Sequence, residues 1–204
     1  MKGAMMNRMR IFAAAIIVML SAALPAHAAA AQPEDPHPKV RVETSMGNFT
    51  IALDRAHAPA TVENFLTYVR EGHYDGMAFY RVVPHFVVQT GSYDAEGEYH
   101  APAHAPIPLE SGLPNLSGTV AMARADEPAS AIAEWFINLV DNGALDAKPG
   151  AAPNTTGYAV FGTVSEGMDV IDRIARTPLG GTGPFGASAA PATPVVIRQI
   201  KIVE

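Results

Sequence analysis

Residues 39–53, KVRVETSMGNFTIAL, alternate apolar and polar side chains, turn at Met46-Gly47-Asn48 and alternate again. A period of two belongs to a strand with one buried face, so this stretch predicts a β-hairpin. The pattern recurs. FYRVVPHFVVQTG (79–91), SGTVAMA (117–123), EWFINLV (134–140), YAVFGTV (158–164) and PVVIRQIKIVE (194–204) are short apolar runs between turn-rich segments. In the last of these, Val196, Arg198, Ile200 and Ile202 are expected on one face. Helical spacing shows twice. APATVENFLTYVREG (58–72) puts Phe65, Leu66 and Val69 together, with Thr61 as candidate cap and Gly72 as stop. EGMDVIDRIAR (166–176) gathers Met168, Ile171 and Ile174 or Ala175. Many short strands with two helices predict one mainly β domain over 39–204, an antiparallel barrel or sandwich with helices closing its ends.

The first 28 residues stand apart from that domain. A basic start (MKGAMMNRMR), an apolar run (IFAAAIIVMLSAAL) and small residues around Ala26-His27-Ala28 form the layout of a cleaved secretory signal peptide. The apolar run is shorter than the ~20 residues of a spanning helix, so no stable membrane anchor is expected. Residues 29–38 then read as a flexible, proline-rich leader. Removing residues 1–28 takes away Lys2, Arg8 and Arg10 and no acid. The remaining 176 residues carry 11 basic and 20 acidic groups, a net of −9 against −6 for the whole chain. Such a surface repels nucleic acid. The chain has no cysteine, which excludes disulfides and thiol chemistry.

Familiar catalytic patterns are missing. His100 and His104 are four apart, but HAPAH contains a proline and reads as a loop with solvated histidines rather than a metal site. There is no G-x-S-x-G elbow. GTGPFG (181–186) lacks the strand-then-helix setting of a dinucleotide site and reads as a loop. What remains are polar and aromatic groups inside the strands. Alternation in EWFINLV places Trp135, Ile137 and Leu139 inside and Glu134, Phe136 and Asn138 outside. A lone outward aromatic among polar groups often marks a binding surface. The same alternation sets Phe79, Arg81 and Val83 against Tyr80 and Val82, and by itself it makes Arg81 a surface arginine whose stem lies over apolar neighbours.

FYRVVPHFVVQTG, GTVAMAR, EWFIN and YAVFGTVSEGMDVIDRI, in that order and at those separations, resemble the cyclophilin family of peptidyl-prolyl cis-trans isomerases, most closely its exported bacterial members. The resemblance covers about residues 38–204. It implies a closed eight-stranded antiparallel barrel capped by two α-helices, with the active groove on the outside. It implies catalytic roles for Arg81 and Gln89. It also implies a substrate-binding wall of Phe86, Val87, Met122, Ala123, Arg124, Glu134, Phe136, Leu145 and Tyr158, with no cofactor and no metal. The expected partners are proline-containing polypeptides and unfolded exported proteins, met by a monomer in the periplasm.

Three departures from the family pattern carry expectations. Glu134 stands where a glutamine is common, and either pairs with Arg81 or Arg124 or turns preference toward basic peptides. Ala144 stands where members that bind cyclosporin tightly carry tryptophan, so weak cyclosporin binding is expected. KPGAAPNTTG (148–157) is longer than a minimal loop and is expected to reshape the groove rim. Phe86 and Gln89 have opposite strand parity, so both face the groove only if the chain bends after Pro84. The alternative function is a peptide-binding or chaperone module of the same fold with low turnover. A small-ligand barrel carrier is disfavoured by the bulk of Trp135, Ile137 and Leu139 directed inward.

Overall fold

The computed structural model describes residues 35–203. The predicted signal peptide and most of the predicted leader lie outside them. Eight strands follow in chain order: β1 (Lys39–Thr44), β2 (Gly47–Leu53), β3 (Arg81–Val83), β4 (Val87–Thr90), β5 (Thr119–Met122), β6 (Trp135–Asn138), β7 (Val160–Glu166) and β8 (Ile197–Val203). Helix α1 (Pro59–Arg70) lies between β2 and β3, and α2 (Met168–Ala175) between β7 and β8. All strand pairs are antiparallel and the sheet order is β3-β4-β6-β5-β7-β2-β1-β8.

The sheet curls round a core of buried side chains from every strand and both helices. Phe65 of α1 reaches its centre. Its ring packs on Trp135 edge-on at 5.9 Å, on Phe161 at 5.1 Å and on Tyr74 at 5.4 Å. Trp135 and Ile137 point inward as the alternation required, and these rings fill the interior.

Closure is weaker than a closed barrel implies. The edge strands β3 and β8 share no ladder. Residues 76–79 bridge them instead, through an Ala78–Val196 pairing and hydrogen bonds from Phe79 N to Val195 O (2.9 Å) and from Ile197 N to Met77 O (2.7 Å). With only three residues, β3 is too short to close the cylinder itself.

Two further expectations change. The register of β1 against β8 shifts between Glu43 and Thr44, a bulge that leaves Arg198 unpaired. The extra residue reverses parity, so Ile197 and Ile200 both face the core while Val196 and Arg198 leave that face; Ile202 keeps it, opposite Val40, though it is exposed. The predicted leader is not free at its end either. Pro36 O and Pro38 O accept from Arg55 N (3.0 Å) and Leu53 N (2.9 Å), extending the β1–β2 pairing backwards.

Thr61 does not cap α1. The helix starts at Pro59, whose missing N–H suits a first turn. The orphan amides of Ala60 and Thr61 are satisfied from afar by Glu110, whose carboxylate accepts from both (3.2 and 2.8 Å) and from Thr61 Oγ1 (2.6 Å). A carboxylate there also complements the helix dipole. Glu110→Ala should therefore destabilise the fold by about 1–2 kcal/mol in chemical denaturation. An unchanged midpoint would show that water replaces the carboxylate at no cost.

Candidate active site

Strand register assembles the outer face. Arg81 on β3 stands opposite Gln89 on β4, Gln89 opposite Phe136 on β6, Phe136 opposite Ala121 on β5, and Ala121 opposite Val160 on β7. Registered partners share a face, so one row carries these five side chains across five strands. Val87, two residues before Gln89, joins the same face. Val87, Ala121, Phe136 and Val160 form a second apolar cluster outside the barrel, with Phe86, Ala123, Leu145 and Tyr158 packed on it. Phe136 is thus buried, as the floor of a groove of about 580 Å³ whose lining includes Arg81, Phe86, Gln89, Glu134 and Leu145.

The predicted bend after Pro84 is present. His85 takes φ 59° and Phe86 N bonds back to Val83 O at 3.0 Å, so Phe86 sits in a turn and escapes strand parity. Its carbonyl accepts from Leu139 N (2.9 Å) and Asn142 Nδ2 (3.0 Å). Asn142 donates to Asn138 Oδ1 (2.8 Å), Asn138 to Asn115 Oδ1 (3.2 Å), and Asn115 Nδ2 to Leu145 O (3.1 Å). Three buried amides therefore tie the Phe86 wall to the Leu145 wall. Each has a partner, which makes the burial tolerable. Leu145 closes a short 3₁₀ turn, Gly143–Leu145.

Polar groups converge at the other end. Arg81 donates an N–H to Gln89 Oε1 (2.9 Å), and Gln89 Nε2 donates to Tyr80 Oη (2.8 Å) and Glu134 Oε2 (2.9 Å). The Tyr80 hydroxyl also donates to Glu134 Oε2 (2.7 Å). Glu134 pairs directly with neither arginine, contrary to one expectation; it reaches Arg81 only through Gln89. That link fixes the amide. A flipped Gln89 would set its oxygen against the carboxylate and its NH₂ against the guanidinium. Arg124 is committed to the rim. Its Nε donates to Gly157 O (2.8 Å), its NH1 to Ala125 O and Asp126 O, and its Cζ lies 4.9 Å from the Tyr158 ring centre. The 148–157 segment meets the groove through that Gly157 carbonyl. Gly157 has φ 84°, and a Cβ there would fall 2.5 Å from Ala147 N.

One predicted groove residue is not brought to the site. Met122 is buried in the barrel core opposite Trp135, because Ala121 takes the outward position and the next residue must turn in. Several residues in or behind the groove lie outside the sequence expectation, Tyr80 and Phe185 among them. Parity sets Tyr80 away from Arg81, but the chain is irregular before β3 and the buried Tyr80 hydroxyl reaches Gln89 and Glu134 behind the groove. Phe185, in the segment read as a plain loop, lines the groove with its ring centre 4.9 Å from Arg81 Cζ. A single aromatic among glycines and prolines was the available signal. His100 and His104 pair separately with Asp94 and Glu71.

The model of the family described as cyclophilin type peptidyl-prolyl cis-trans isomerase/CLD matches residues 39–202. A Streptomyces antibioticus protein named a peptidyl-prolyl cis-trans isomerase is 45% identical over 166 residues, covering 80% of this chain and 98% of that protein. Peptidyl-prolyl cis-trans isomerase A of Dickeya dadantii is 40% identical over 198 residues, covering 96% of this chain and 98% of its own. Among solved structures, a Cryptosporidium parvum cyclophilin type isomerase in the presence of the dipeptide Ala-Pro superposes with TM-score 0.64 at 20% identity, covering 81% of this chain and 99% of that one.

Burial first, and the Glu134 charge second, push the Tyr80 hydroxyl far above the ordinary tyrosine value of 10.0. Burial does the same to Tyr74. A proton held more tightly in the folded than in the unfolded state makes stability intact below the unfolded pKa and lost as pH rises past it. Melting temperature should therefore fall above about pH 10, and less steeply in Tyr80→Phe. An identical slope in the variant would exclude Tyr80 from that titration.

Proposed function

The chain belongs to the cyclophilin-type family of peptidyl-prolyl cis-trans isomerases, and we propose that Arg81 drives the rotation while the Phe86–Phe136–Leu145 pocket holds the proline. One observation carries this reading: the Arg81–Gln89–Phe136 row, which sets a fixed guanidinium beside an apolar hollow on one face. Rotation about an X-Pro bond is opposed by a barrier of ~18–20 kcal/mol because the amide loses resonance. In the twisted state the prolyl nitrogen regains a lone pair and accepts a hydrogen bond. A donor aimed there stabilises the twisted form more than either planar form, which is what lowers a barrier. The guanidinium keeps its charge at every working pH and still has free donors after one is given to Gln89. Val87 lies under the pocket, and Ala123 and Tyr158 flank it. No group on this route takes or gives a proton.

The substrates we propose are X-Pro bonds of exported polypeptides, met by a monomer in the periplasm. The basic–apolar–small order of residues 1–28 supports export, and the Dickeya relative aligns across 96% of the chain, into that region. The chain recovered from a periplasmic fraction should begin at Ala29; full-length chain found only in the cytoplasm would refute export. Ala144 offers a methyl group in the exposed 3₁₀ turn where an indole would cover a macrocycle, which supports weak cyclosporin binding.

Cis-to-trans conversion of a proline tetrapeptide tests the mechanism. Arg81→Ala should lower kcat/KM by roughly 10²- to 10³-fold, the loss typical of removing one transition-state donor. A rate equal to wild type would remove Arg81 from the mechanism, and a wild-type rate at background would favour a binding module. In the same assay cyclosporin should inhibit weakly and Ala144→Trp should tighten it; nanomolar inhibition of the wild type would overturn that reading.

A further inference from the structure

Arg81 is held by more than its hydrogen bond to Gln89. The Phe86 ring centre lies 5.9 Å from its Cζ, and the Phe185 ring centre 4.9 Å away. Phe185 comes from a segment more than a hundred residues later in the chain. It is 52% exposed, so it is held by the guanidinium and not by the core.

Its placement is built. Gly186 N closes a turn on Gly183 O (3.0 Å), which projects Pro184 and Phe185 outward. Gly180 N and Gly181 N both donate to Ala190 O (3.0 and 3.1 Å), cinching the base of the loop. A Cβ at Gly181 would lie 2.0 Å from Pro191 O, so only glycine allows that approach. Val82 N donates to Ala189 O at 2.7 Å, fastening the loop to β3 one residue after Arg81. The Phe185 ring also stacks on Tyr80, with centres 6.1 Å apart and planes 9° from parallel.

We propose that Phe185 is a positioning residue of this isomerase: its ring face holds the Arg81 guanidinium in the groove and keeps water from one side of it. This rests on the reading of Arg81 as the catalytic group. Stacking suits that task for a specific reason. It restrains a long, flexible side chain without using any in-plane N–H, so Gln89 and the prolyl nitrogen compete with nothing for the donors. Fewer arginine rotamers then have to be frozen when the substrate arrives. Partial removal of water also strengthens the guanidinium's field at the amide.

A double-mutant cycle in the tetrapeptide assay tests this, with wild type, Phe185→Ala, Arg81→Ala and the double variant, together with Phe185→Leu and Phe185→Tyr. Phe185→Ala and Phe185→Leu should each lower kcat roughly three- to tenfold with KM little changed, and Phe185→Tyr should stay near wild type. In the Arg81→Ala background, Phe185→Ala should have no further effect. Thermal melts should match wild type, since the ring lies outside both apolar clusters. An additive cycle would overturn the inference, as would a Leu variant with full activity. A raised KM at constant kcat would also overturn it, making Phe185 a substrate contact instead. Arg81→Ala at the wild-type rate is a different failure, that of the arginine mechanism itself.

Discussion

The register of β4 between β3 and β6 is the constraint on which the groove depends. Gln89 faces outward only because Val88 faces the core, and that choice places Arg81 on one side of it and Phe136 on the other. Side chains alternate with a period of two, so a slip of one residue would turn Gln89 inward and present Val88 to the groove. The slip is opposed from both faces. Inside, Val88 and Ile137 are fully buried; outside, Val87 and Phe136 pack into the second cluster. A three-residue β3 has little ladder of its own to resist slipping. Its register is held largely by the side chains and by the turn at His85, whose left-handed backbone permits one loop length.

The groove joins two physically different ends. At the apolar end, a phenyl floor and walls are tied together by three buried asparagines, which fix the distance between Phe86 and Leu145 without intruding on the pocket. At the polar end, a carboxylate, a phenol, an amide and a guanidinium share four hydrogen bonds. The two ends meet at Gln89, which stands next to Phe136 in the row and bonds to Arg81. Glu134 differs from a neutral glutamine here in two respects: it carries a charge and it cannot donate. Its acceptor-only oxygen leaves Gln89 a single satisfactory orientation and so a single way to receive Arg81. Burial first, and this charge second, keep Tyr80 protonated, and a protonated Tyr80 is the donor that the carboxylate needs.

Alternation made much of this legible. It separated Trp135 and Ile137 from Phe136 correctly, required a bend after Pro84 and predicted the hairpin, while helical spacing predicted both helices. It failed where the period itself breaks. The bulge opposite Glu43 moved Val196 and Arg198 off the face of Ile200 and Ile202, and the irregular segment before β3 let Tyr80 and Arg81 both reach Gln89. Met122 was a motif neighbour assigned to the groove against its own parity, and parity prevailed. The other omissions are contacts between distant parts of the chain. Glu110 caps a helix about fifty residues earlier, Asn115 joins Asn138 and Leu145, and Phe185 meets Arg81. No local pattern encodes these, because each partner satisfies ordinary surface or loop chemistry where it stands.

The incomplete closure of the barrel and the placement of Phe185 have one origin. An edge strand with unpaired amides invites association with other chains, and folds cover such edges. Here β3 is covered by a loop: Val82 bonds to Ala189, while residues 76–79 fill the rest of the seam against β8. A ladder from β8 to β3 would have satisfied the same backbone groups, but it would have placed a flat strand beside Arg81. A glycine-rich loop satisfies them and still leaves a turn free to arch over the guanidinium. The segment that protects the sheet edge is thereby the segment that can shape the Arg81 end of the groove. Changes in its glycines, Gly181 above all, should reach Arg81 through Phe185 although none of them touches it.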